Sequence, residues 1–127
     1  MLRLFLGLSV TVNDRLKPIE RFVTIAHELG HIFCGHLGEC TSQAKNDEES
    51  GWPDRRALGK DEKEVEAEAV AYLLASRAGI VTCSAAYLRA YAKRADRAQI
   101  DLDLVVRASA RIERLAKIHY GSMAFKA

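Results

Sequence analysis

The run from Arg21 to Gly38, RFVTIAHELGHIFCGHLG, sets two histidines and a glutamate into a helix-periodic apolar stripe. Phe22, Ile25, Ala26, Leu29, Ile32 and Phe33 recur at spacings of three and four, which predicts an amphipathic helix from Ile19 to about His36. Pro18 suits its first turn, where the missing N–H is harmless, and Gly35 or Gly38 suits its end. Imidazoles and a carboxylate are unfavourable in such a setting unless they have partners. His27 and His31 stand four apart, on one face, with Cβ atoms roughly 5–6 Å from each other. Each can therefore offer one nitrogen to a shared ion. Glu28, rotated by about 100° from His27, does not join them as a ligand but can serve as general base toward a water at that ion. Satisfied core histidines and a chance H-E-x-x-H are the plainer alternative, and the apolar context weighs against it. His36 lies about 140° around the helix from His31. It reads as a helix-end or rim contact.

Two imidazoles do not complete a zinc site, which in enzymes takes three protein ligands and leaves one position open. The pattern H-E-x-x-H-x-x-G-x-x-H is excluded, because Cys34 stands at the glycine position and Leu37 at that of the last histidine. A second helix, from about Asp61 to Ala78 and stopped by Gly79, supplies other candidates. Glu64 and Glu68 are four apart and share a face, while Glu62 and Glu66 turn elsewhere. One of the pair can bind the metal, and the other can accept a hydrogen bond from the second nitrogen of a ligand histidine. A solvated acidic face beside Lys60 and Lys63 is the alternative, but the following AVAYLLA is too apolar for the periphery.

Together TIAHELGHIFCGHLG and KEVEAEAVAYLLASRAGI resemble the ImmA/IrrE metallopeptidase-like proteins, which pair HExxH with a downstream helix of the form E-x-x-A-N-x-F-A-x-x-L-L. The resemblance covers about residues 20–80. It implies a zincin-like fold, a gluzincin-type site and Zn²⁺ as cofactor. By position, the family's glutamate ligand falls on Glu64 and its alanine on Ala67. Glu68 stands where the family often has asparagine, which makes it the candidate partner of a ligand histidine, and Val70 replaces the usual phenylalanine. The segment DLVVRASARIERLAK is more weakly similar to a subgroup found near mobile elements and antirestriction proteins. The function implied is a zinc-dependent endopeptidase acting on a protein or peptide, with a transcriptional repressor among the substrates. Tyr72, Tyr87, Tyr91 and His119 are candidates to stabilise an oxyanion, each with core packing as its ordinary role. The rival reading is a zinc-stabilised regulatory module that binds a protein partner without cleaving it; an intact Glu28 argues against that.

The rest of the chain sets the frame. At 127 residues it fits one zincin-like domain, 1–127, of the α+β class and mostly helical. LGLSVTVND alternates like a strand, predicting a small N-terminal sheet packed on the HExxH helix. Three further helices follow: the one from Asp61, one over 85–97 capped by Ser84, and one over 103–119 capped by Asp101 or Asp103. Residues 39–60 read as a long surface loop, which Trp52 anchors on the body unless it contacts substrate. Residues 39–68 hold ten acidic and five basic side chains, and residues 84–127 nine basic and four acidic. Solvated helix faces account for this asymmetry, and Arg89, Lys93, Arg94 and Arg97 lack the aromatic or glycine-rich company of a nucleic-acid surface. Cys34, Cys40 and Cys83 are odd in number and include no C-x-x-C pair, which fits reduced thiols in the cytoplasm. The opening residues match a strand better than a signal peptide, and no run reaches a membrane span.

Overall fold

The computed structural model describes residues 2–3, 9–40 and 51–116. Helix α1 spans Pro18–Phe33, α2 Lys60–Arg77, α3 Ser84–Arg94 and α4 Leu102–Leu115, with a 3-10 turn at Arg97–Gln99 leading into α4.

Helix α1 starts as its sequence requires. Pro18 occupies the first turn, and the Glu20 carboxylate accepts the Lys17 N–H at 3.3 Å. It stops three residues short of the expected His36. Gly35 takes φ +79°, its N–H donates to Ile32 O at 3.1 Å, and the His36 N–H donates back to His31 O at 3.0 Å. This is a Schellman reversal, favoured at glycine because only glycine enters the left-handed region without a Cβ penalty. A Cβ on Gly35 would also lie 2.0 Å from Pro53 O, so the same glycine admits the segment after Gly51.

Helix α2 packs against α1, α3 and α4. That central position explains why it carries no single apolar stripe: Val65, Ala67, Val70, Ala71, Leu74 and Ala75 are buried, and so are Glu66 and Glu68. It meets α1 at Gly30. A Cβ added there would approach Ala67 Cα and Val70 Cβ to 3.1 Å, so the two small residues let the helices lie close. That approach brings the turns carrying His27 and His31 against those carrying Glu64 and Glu68.

Leu29, Ile32 and Phe33 of α1, Val70 and Leu74 of α2, and Val105, Ala108 and Ile112 of α4 form the core, with Val10 and Trp52. Each large apolar side chain contributes about 1.5–3 kcal/mol by leaving water. Trp52 anchors its segment, as expected. Its backbone pairs with Cys40 through two 2.9 Å hydrogen bonds, and its Nε1–H donates to Gly38 O at 3.0 Å. Its ring meets Phe33 edge-on at 5.0 Å under the Arg111 guanidinium. Much of the expected 39–60 loop, residues 41–50, lies outside the described residues.

The small N-terminal sheet is not borne out. What forms is a ladder of two residues per strand, β1 (Leu2–Arg3) antiparallel to β2 (Ser9–Val10). So short a pair cannot provide an independent layer, and α2 and α4 supply the cover of α1 instead. Val10 enters the core and Val12 packs beside it, so the alternation reports burial without a lengthy strand. Ser84 is also corrected: Cys83 is the N-cap of α3, and Ser84 sits buried at the first helical position. Asp101 caps α4 as expected, accepting the Leu104 N–H at 3.0 Å. Residue 119 lies outside the described residues.

Candidate metal centre

On α1, the rings of His27 and His31 meet edge-on with centroids 4.8 Å apart and their Nε2 atoms 3.1 Å apart. Glu64 reaches over from α2, with Oε2 3.1 Å from His27 Nε2 and Oε1 3.4 Å from His31 Nε2. Zn–N bonds of about 2.0–2.1 Å at a tetrahedral angle put neighbouring ligand atoms roughly 3.3–3.4 Å apart. The separations of 3.1, 3.1 and 3.4 Å, with the two histidines facing different oxygens of the Glu64 carboxylate, come close to that spacing. Two bare imidazole nitrogens so close, facing a carboxylate, also call for a proton or a cation between them. The set of two imidazoles and one carboxylate suits zinc and leaves a corner for a reactant. The structure thus brings together His27, His31 and Glu64.

Glu68, one turn along α2, is buried, and its Oε2 lies 2.7 Å from His27 Nδ1. As the carboxylate can only accept, Nδ1 carries a proton, and in the neutral ring Nε2 is then left bare toward Glu64. Burial alone would lower the His27 pKa; the Glu68 hydrogen bond and the charges of Glu68, Glu64 and Glu28 outweigh it and raise the value. His31 goes the other way, to about 3, through burial and the neighbouring His27, His36 and Lys63. Glu28 is exposed on the next face and, with His27, opens into a cleft of about 1030 Å³ also lined by Val23, Thr24, Val81 and Tyr87. Of the other tyrosines, Tyr72 is exposed. The Tyr91 phenol is raised by burial and by the charges of Glu64 and Glu68.

Three residues behind His31 escaped the sequence. His36 is buried, not at a rim, and its Nδ1 lies 2.8 Å from His31 Nδ1. The helical-wheel argument fails because the chain has left the helix at Gly35 and turned back. His36 Nε2 is 2.7 Å from Glu66 Oε1. Glu66 does face away from the Nε2 atoms, but it is fully buried, accepts the Asp101 N–H at 2.8 Å and is gripped by the forked guanidinium of Arg55. Burial opposes ionisation of Glu66, yet the hydrogen bonds from His36, Arg55 and Asp101 hold its pKa below the ordinary carboxylate value. Cys34 beside it is a core thiol, pushed up to about 12 by burial and the Glu66 charge. The sole signal in the sequence was a histidine immediately after a helix-ending glycine.

The model of the IrrE N-terminal-like domain, a peptidase family, matches residues 5–88. The chain belongs to that family. Neither the curated proteins nor the solved structures provide a further match. Helices α1 and α2 of this IrrE-like domain fall within the matched span, whereas α4 and the Asp101 N–H that touches Glu66 lie beyond it. Family membership gives the chain a metallopeptidase-type function. Among the described residues, no helix is long and apolar enough to cross a membrane.

Proposed function

We propose that this IrrE-like domain is a zinc-dependent endopeptidase in which His27, His31 and Glu64 hold the ion and Glu28 is the general base. The observation that carries the reading is the convergence of two imidazole nitrogens and the Glu64 carboxylate, at separations of 3.1–3.4 Å, beside an exposed carboxylate. Zinc held there supplies Lewis acidity toward a carbonyl oxygen and brings the pKa of water down toward 7. Glu68 fixes the proton of His27 on Nδ1 and so keeps its other nitrogen available. The Glu28 carboxylate takes the proton of the attacking water and passes it to the leaving amine, yielding a new amino and a new carboxyl terminus. The cleft beside Glu28, walled by Val23 and Val81, accommodates an extended peptide. By family resemblance, the substrate class is a regulatory protein such as a transcriptional repressor.

Glu28→Gln tests this directly. The variant should bind zinc as the parent does and lose peptide hydrolysis by about 10²–10⁴-fold, the range of general-base contributions. Cleavage at the parental rate would remove Glu28 from the role of base, whereas action on a protein partner without cleavage, surviving the substitution, would favour a non-catalytic zinc module instead.

A further inference from the structure

Four groups run in line from the candidate metal centre: His31 and Arg55, half-buried at the two ends, and His36 and Glu66, buried between them. Each link is short, at 2.8 Å from His31 Nδ1 to His36 Nδ1 and 2.7 Å from His36 Nε2 to Glu66 Oε1, with Arg55 Nη2 donating to Glu66 Oε2 at 2.6 Å. Arg55 is itself fixed, because its Nη1–H also donates to Cys34 O at 3.1 Å.

From these positions we infer that His36, Glu66 and Arg55 are positioning residues that hold His31 in the one neutral tautomer able to bind a metal through Nε2. The proton order follows from donor and acceptor chemistry. Glu66 receives both arms of Arg55 and the Asp101 N–H, so it is a carboxylate and can only accept. His36 must then donate from Nε2. Arg55 already balances the Glu66 charge, so a buried His36 ring is neutral and its Nδ1 carries a lone pair. That lone pair demands the proton of His31 on Nδ1, which bares His31 Nε2 toward His27 and Glu64. The opposite order would set the His36 Nε2 lone pair against a carboxylate oxygen at 2.7 Å. Glu68 imposes the same state on His27 directly, so both rings are preset by carboxylates of one helix, at one remove and at two. The same occupancy explains why Cys34, His36 and Glu66, which also cluster closely, are not a second cation site: the Arg55 guanidinium already fills the carboxylate.

The effect on metal affinity rests on the proposed zinc site; the tautomer does not. Nitrogen-15 NMR of the imidazoles in the metal-free protein should therefore find His31 protonated at Nδ1 and bare at Nε2, and His36 protonated at Nε2. A proton on His31 Nε2 overturns the inference, whatever the protein does with zinc. His36→Phe should bind zinc more weakly by about 10–100-fold in competition with a chelator, as loss of such a partner ordinarily does. It should also show mixed His31 tautomers. His36→Asn restores an acceptor near the Nδ1 position and should recover most of that affinity; a merely structural role for His36 predicts no such recovery. Parental zinc affinity in His36→Phe would sink the inference while sparing the zinc site. Absence of zinc binding by the parent, with the tautomers as stated, would sink the zinc site and spare the inference. Should His36→Phe fail to fold, the parental spectra and the Asn variant decide.

Discussion

Burial separates two of the three thiols sharply. Cys83 is exposed, whereas Cys34 is enclosed and its pKa is pushed up to about 12. Iodoacetamide at pH 8 should alkylate Cys83 and leave Cys34 untouched until denaturant is added, with peptide mapping as the readout. The two metal-facing histidines predict a pH profile for the metal-free protein. His31 has its folded pKa depressed from 6.5 to about 3, so the unfolded chain binds its proton first and stability falls as pH drops through that window. His27 has a raised folded pKa, so its contribution is fully present below 6.5 and is lost as pH rises through the folded value. Glu66, with a lowered pKa, adds to the acid loss below its ordinary 4.5. Denaturant midpoints should accordingly peak near 6.5 and decline toward pH 3; a midpoint that rises on acidification below 6.5 contradicts the assignment. At this scale, His27, Glu28 and His31 were legible because one helix carries them at fixed spacing. Glu64 and Glu68 were legible by the same rule on a second helix. His36 was not, since a single left-handed glycine redirects it, and Arg55 was not, since no periodicity governs an irregular segment.

The crossing of α1 and α2 depends on Gly30. Replacement by alanine favours the helical state by about 1 kcal/mol in propensity. Yet the new Cβ would meet Ala67 Cα and Val70 Cβ at 3.1 Å, and a backbone atom cannot swing aside. Overpacking typically costs about 1–3 kcal/mol, so the net expectation for Gly30→Ala is lower stability and weaker zinc binding, because Glu64 is pushed away from both Nε2 atoms. Urea unfolding and chelator competition check the two effects, and an unchanged zinc affinity would show that the crossing distance does not set the site. The helices themselves were readable from apolar spacing, glycine stops and the Asp101 cap. Their ends were less so: α1 finished early where backbone geometry, not hydrophobicity, decided. The strand reading of LGLSVTVND rested on alternation that reflects Val10 and Val12 meeting the core.

For the molecule as a whole, α1 and α2 are joined through the proposed ion, so zinc should stabilise the entire domain. Binding to the native state alone contributes about 2.7 kcal/mol at a free concentration 100-fold above the dissociation constant. Trp52, the single tryptophan and largely buried, offers a fluorescence readout of unfolding. Zinc should raise the parental midpoint and leave that of Glu64→Ala nearly unmoved; equal gains in both proteins would place the ion elsewhere. The mostly helical class was evident in the sequence, but the arrangement around α2 was not, because a helix enclosed on several sides displays no amphipathic stripe to read. One consequence of that enclosure concerns insertions and deletions. At alternate positions of one helix, Glu64 faces the Nε2 atoms of His27 and His31, Glu66 meets His36 and Arg55, and Glu68 takes the far nitrogen of His27. Gaining or losing a single residue ahead of Glu64 would rotate all three by about 100° at once and misdirect every one. A substitution on α2 disturbs one of these contacts, whereas a frame slip within its first turn disturbs all three together.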